Sequence, residues 1–97
     1  MASYEPQVSV VIPNLHRSQL VLRAVRSVLA QNFHAIEVVV VVDGDDPSTL
    51  ETLKAIADPR MRVVALAQNV GGAEARNSGV SEARCRWIAF LDGWMKG

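Results

Sequence analysis

The chain has 97 residues, 49% of them hydrophobic, and its ten basic side chains balance ten acidic ones. That length is one domain with enough apolar mass for a core, which excludes a disordered chain. The absence of a basic surplus argues against a general nucleic-acid binder, and no apolar stretch reaches the roughly 18–20 residues of a membrane span.

The first run, VSVVIP (8–13), is β-branched and closed by Pro13, which reads as a buried strand. RSQLVLRAVRSVLAQ (17–31) sets Leu20, Ala24 and Val28 with Val21, Val25 and Leu29 on one face, and Arg23 and Arg26 elsewhere. This is an amphipathic helix, with Ser18 as a candidate cap. IEVVVVVD (36–43) is too uniformly apolar to be half exposed, as in a parallel-sheet strand buried on both faces. DDPSTLETLKAIAD (45–58) opens with Asp46 as N-cap and Pro47 at the first helical position, and buries Leu50, Leu53 and Ile56 or Ala57. MRVVALA (61–67) is a third strand. GGAEARNSGVSEAR (71–84) is a helix of small residues, and RWIAFLD (86–92) is a fourth strand ending on Asp92.

Strict β-α-β-α-β-α-β alternation predicts parallel strands joined by crossovers. The expected fold is a Rossmann-like three-layer α/β/α arrangement. Its four-stranded, mostly parallel sheet has the order 3-2-1-4, with helices on both faces. In such sheets ligands bind beyond the carboxyl ends of the strands. Asn14 to Arg17, Asp43 to Asp46, Gln68 to Gly72 and Asp92 stand there.

Each tip has a chemical reading and a plainer one. Asp43 directly ends an apolar run, so its carboxylate stands at the rim, where it can accept from a nucleobase N–H or a ribose hydroxyl. Asp46 and Asp45 read more simply as a helix cap and a solvated turn residue. Gly71 and Gly72 let backbone approach a ligand, the helix N-terminus behind them favours anions, and Arg76 one turn on has the planar donor fork that suits phosphate. Asn77 and Gly79 are poor helix formers, with close helix–sheet packing as the plain explanation. A carboxylate at position 92 suits Mg²⁺ or Mn²⁺. The G-x-G-x-x-G dinucleotide fingerprint is absent. Cys85 is the one cysteine, and Glu5 and Pro6 stand where a signal peptide would be basic and then apolar. Both favour a reducing cytoplasm.

Taken together, VSVVIPNLHR, VVVVVDGDDPST, NVGGAEARNSG and WIAFLDG resemble, in order and spacing, the family 2 glycosyltransferases of the GT-A fold. The resemblance implies a nucleotide-diphosphate sugar donor, with UDP the expected nucleotide. It implies that Pro13 and Asn14 line the base pocket, that Asp43 contacts the base, that Gly72 and Arg76 hold the nucleotide, and that Asp92 begins the D-x-D motif that binds ribose and a divalent cation. The chain departs from the family's pattern where Leu15 replaces an aromatic residue and where Gly93 and Trp94 follow Asp92 in place of further aspartates. It is expected to be the N-terminal, nucleotide-binding half of a GT-A domain, incomplete for catalysis as it stands. The alternative is a non-catalytic nucleotide-binding or self-assembling module. For the latter, the sheet edge beside the fourth strand, with Trp87, Phe90 and Trp94, is the expected surface of self-association. An acidic cluster at strand tips superficially suits a response-regulator-like domain too, but no late strand-tip lysine follows.

Overall fold

A computed structural model describes residues 7–14, 18–31 and 36–91. Its elements alternate as expected: β1 (Val8–Asn14), α1 (Ser18–Leu29), β2 (Ile36–Asp43), α2 (Pro47–Lys54), β3 (Met61–Leu66), α3 (Gly72–Glu82) and β4 (Trp87–Phe90). All pairings are parallel, and the sheet order is β3-β2-β1-β4. The partial three-layer fold read from the sequence is therefore the one observed.

β2 is central, and every one of its residues is buried. One face of the sheet carries Ile12, Val38, Val40 and Val42, packed under Val21 and Val25 of α1 and Leu53 of α2. The opposite face carries Val11, Val39 and Val41 under Ala75 of α3. Alternation along a strand separates the two sets, so a run of valines serves two cores at once. α3 lies close because it is made of small residues. A Cβ at Gly79 would run into Val11 Cγ1 and sit 3.0 Å from Val41 Cγ2, which gives the packing reason for that glycine. Asn77, in contrast, is exposed.

Several elements are shorter than their apolar patterns. The expected helix 45–58 is regular only from Pro47 to Lys54. Pro47 fixes its start, and beyond the helix Ala57 turns to φ +50° ahead of Asp58-Pro59. A residue before proline is pushed out of the helical region, so continuing the helix is unfavourable there. Ala57 is exposed, and Leu53 holds the buried stripe with Leu50 and Ile56 partly covered. β4 is assigned over four residues, and Asp92 and Trp94 lie outside the described residues, as do Leu15 to Arg17. No helix among the described residues is long and apolar enough to cross a membrane.

Candidate functional site

The carboxyl ends of β1 and β2 lie side by side, with Pro13 opposite Val41 and Asn14 opposite Val42. Asn14 is 2% exposed, and among the described residues neither its Oδ1 nor its Nδ2 has a hydrogen-bond partner. A buried primary amide with nothing to bond to costs about 1–3 kcal/mol, so an interior normally satisfies it. Asn14 is thus a polar group in want of a partner at the tip of the central strand pair.

Asp43, one residue beyond Val42, is 3% exposed and is already engaged. Its Oδ1 accepts from Val70 N–H at 2.7 Å, and its Oδ2 accepts from Gly71 N–H at 3.0 Å. The carboxylate therefore ties the β3–α3 loop to the end of β2. It also stands just ahead of α3, where the helix dipole favours negative charge. The anion expected at this helix terminus is, in part, supplied by the chain itself. Gly44 (φ +104°) and Gly71 (φ +92°) make the two bends that bring these loops together, in a backbone region that other L-residues rarely adopt. Asn69 Oδ1 gives the Gly71 N–H a second acceptor at 3.0 Å.

Gly72 opens α3, and Arg76 folds its guanidinium back so that a Cβ on Gly72 would lie 3.5 Å from Arg76 Nη1. Asp43, Gly72 and Arg76 are therefore gathered around one loop, and Pro13 and Asn14 form the neighbouring strand tip. Asp46 is held as an N-cap. Its Oδ1 accepts from Thr49 N–H at 3.2 Å, and its Oδ2 takes the Thr49 hydroxyl. Asp45 is exposed, as expected for a solvated turn residue.

A cation was expected at Asp92, which lies outside the described residues. Among the described residues no three His, Cys, Asp or Glu side chains come together to hold a metal ion. Asp43 is engaged by backbone amides and Asp46 by its own helix. The described residues thus do not fit a divalent cation by themselves.

Sequence reasoning passed over the most elaborate polar cluster, at the other end of the sheet. Glu37, second residue of β2, has a side chain only 1% exposed. It accepts from Ser9 Oγ at 2.7 Å, Arg84 N–H at 2.8 Å, Arg84 Nε at 3.0 Å and Arg62 Nη1 at 3.3 Å. Burial alone would push its carboxyl up. The Arg84 amide, the Ser9 hydroxyl and the two guanidiniums outweigh burial and hold it down at about 2, from an ordinary 4.5. Arg62 continues the cluster to Glu82, bonding its carbonyl at 2.6 Å and its carboxylate at 3.0 Å. The only sequence signal was a lone acid inside a run of buried valines, which requires paired charge somewhere.

The model of the family described as "Glycosyl transferase family 2" matches residues 9–93. The succinoglycan biosynthesis protein ExoO of Rhizobium meliloti is 44% identical over 87 residues, which are 90% of this chain and 25% of that protein. The putative teichuronic acid biosynthesis glycosyltransferase TuaG of Bacillus subtilis is 35% identical, over 99% of this chain and 40% of its own length. Among solved structures, the mannosyltransferase PcManGT from Pyrobaculum calidifontis, in complex with GDP-Man and Mn2+, superposes with a TM-score of 0.80 at 23% identity, covering 94% of this chain and 28% of that one. S. aureus TarS 1-349 gives 0.73 at 27% identity, with 90% and 27% covered. The chain thus spans a quarter to two fifths of the length of these relatives.

Proposed function

The chain belongs to glycosyl transferase family 2 and has part of the GT-A fold, and from that premise we propose that it is the nucleotide-binding half of such a domain, taking the nucleotide of a UDP-sugar at the tips of β1 and β2. The observation that carries this reading is the buried amide of Asn14, which has no hydrogen-bond partner among the described residues. An amide presents an acceptor and a donor side by side. The N3–H and O4 edge of uracil offers the complementary pair, so one ligand group would satisfy both atoms. In this reading Pro13 closes the pocket beside Asn14. Asp43 contacts the base while fixing the loop, and Gly72 and Arg76 face the diphosphate, where a planar cation suits phosphate oxygens.

Binding and positioning are what these residues can do. They hold a nucleotide at a sheet edge and orient it, and the family's divalent cation would shield the diphosphate at Asp92. No step of transfer is assigned to the described residues: Asp43 and Asp46 already bond to backbone amides and a cap, and their part is to position. We expect the chain alone to bind a donor without turning it over, since the positioning of an acceptor is worth roughly 7–11 kcal/mol in favourable cases. A single cysteine held as a free thiol suits a reducing cytoplasm as its compartment.

The test is an NMR titration of the ¹⁵N-labelled chain with UDP, with GDP as the competing base. UDP is expected to move the Asn14 side-chain NH₂ signal and the Val70, Gly71 and Gly72 amides. Asn14→Ala and Arg76→Ala should each weaken that pattern. Equal binding by parent and both variants places the site elsewhere, and tighter binding of GDP overturns the choice of uracil.

A further inference from the structure

We propose that Glu37, at the end of β2 remote from the strand tips, is a positioning residue for the nucleotide. It anchors the far end of α3 and so sets where Gly72 and Arg76 stand at the near end. The inference rests on the nucleotide-binding reading above and adds to it a group that lies a strand's length from the ligand.

β2 meets α3 through one face. Residues 37, 39, 41 and 43 share that face by alternation, and Val39 and Val41 pack under Ala75. The acids at the two ends of this set, Glu37 and Asp43, are both buried. The strand between them spans about 20 Å, and the 11 residues of α3 extend about 17 Å. The two carboxylates therefore stand just beyond the two ends of the helix. Asp43 takes the Val70 and Gly71 N–H groups ahead of its first turn. Glu37 takes the Arg84 N–H, just past its last residue, at 2.8 Å.

Further bonds tie the far end. Arg62 Nη1 reaches the Glu37 carboxylate at 3.3 Å and the Glu82 carbonyl at 2.6 Å. That carbonyl is one of those a helix terminus leaves without an internal partner. Ser9 Oγ donates to Glu37 and accepts from Cys85 N–H at 3.2 Å. One carboxylate thus gathers β1, β3 and the α3–β4 turn onto β2. Packing alone holds the helix weakly along its axis. Its buried residues are Ala75 and Gly79, and Gly71 at its N-cap makes no side-chain bond. Small residues let α3 come close to the sheet, as Gly79 does against Val11 and Val41, but they bury little apolar area and interlock little. Bonds at the two ends therefore decide its axial position.

That position matters at the near end. Gly72 opens α3, and Arg76 stands one turn on. In the nucleotide reading both face the diphosphate, whose oxygens need the guanidinium fork at a set distance and angle. The base is met instead by Asn14 on β1, away from the α3 anchor. Releasing Glu37 is expected to weaken the phosphate contacts and spare the base contacts, a split that a general loss of stability does not produce.

NMR titrations of the chain with UDP and with uridine, at neutral pH, read the split. In the parent, UDP should bind about tenfold or more tighter than uridine, the worth of one charge-assisted bond. Glu37→Gln should cut that ratio by about three- to tenfold, part or all of such a bond, with the uridine affinity unchanged. Arg62→Met, a milder change at a half-buried side chain, frees the Glu82 carbonyl and should lower the ratio in the same direction. Leu53→Ala, in the core on the opposite face of the sheet, is the control for destabilisation and should leave the ratio as in the parent. Circular dichroism checks that each variant is folded, and if Glu37→Gln is not, Arg62→Met carries the test. A ratio unchanged in the folded variants, or lowered as much by Leu53→Ala, overturns the positioning role and leaves the nucleotide reading in place. A parent that binds neither compound, or binds both alike, overturns the reading of Gly72 and Arg76 and this inference with it.

Discussion

Replacing Glu37 with Gln removes one charge and almost no volume from the most buried polar cluster of the fold. The parent carboxylate accepts from Ser9, the Arg84 amide and two guanidiniums, with its side chain 1% exposed. A carboxyl held at about 2 instead of 4.5 contributes about 3 kcal/mol of stability, at about 1.36 kcal/mol per tenfold change in proton affinity. Because the folded value is the lower one, that contribution is fully present above pH 4.5 and is lost as the pH falls toward 2. At pH 3 about 2 kcal/mol of it should be gone. Glutamine keeps one acceptor oxygen but turns an NH₂ group toward donors that the carboxylate satisfied, and it leaves two arginines without their shared anion. The expected loss is therefore about 3 kcal/mol at neutral pH, a large part of the 5–15 kcal/mol that a domain has. Urea unfolding of parent and Glu37→Gln, followed by far-ultraviolet circular dichroism at pH 7, 4.5 and 3, measures it. Asp58, also held below its ordinary range by bonds from Arg60, titrates equally in both proteins and cancels in the difference. A loss below about 1 kcal/mol at pH 7, or a difference between the two proteins that does not shrink toward pH 3, would refute this account of the cluster.

Gly79→Ala should destabilise by about 1–2 kcal/mol, the overpacking against Val11 and Val41 outweighing about 1 kcal/mol of helix propensity; in a Val11→Ala background the same change should become neutral or favourable in thermal melts. Asp46→Ala should cost about 1–2 kcal/mol by removing the cap on Thr49 N–H, read as a lower urea midpoint with an unchanged slope. Asp43→Ala should speed hydrogen exchange at Val70 and Gly71 and abolish UDP-induced shifts, whereas amides as protected as in the parent would show that the loop is held by something else. With a UDP-sugar, Mn²⁺ and mixed acceptors, release of UDP by the chain should not exceed that of an Asp92→Ala control.

The sequence by itself settled the alternation of strands and helices and the parallel direction of the sheet, because those follow from apolar period and connection length, both local properties of the chain. β2 reads as doubly buried from its valines alone, and Asp46-Pro47 reads as a helix start. The strand tips were legible as the place to look, so Asn14 and Asp43 stood out from the sequence, and the family resemblance added Pro13. What those groups bond to was not legible. Asp43 reaches Val70 and Gly71, residues 27 and 28 positions away, and Asn14 is distinctive only because packing buries its amide without a partner among the described residues. Glu37 shows the same limit from the other side. A single acid among valines signals that a counter-charge exists, but the choice of Arg62 and Arg84, 25 and 47 residues on, is made by β3 lying on one side of β2 and by the α3–β4 turn meeting the start of the sheet. Periodicity fixes which face a side chain takes, because that depends on neighbours along the chain. Its partner across the fold depends on how separate elements close together, and only the tertiary structure decides that.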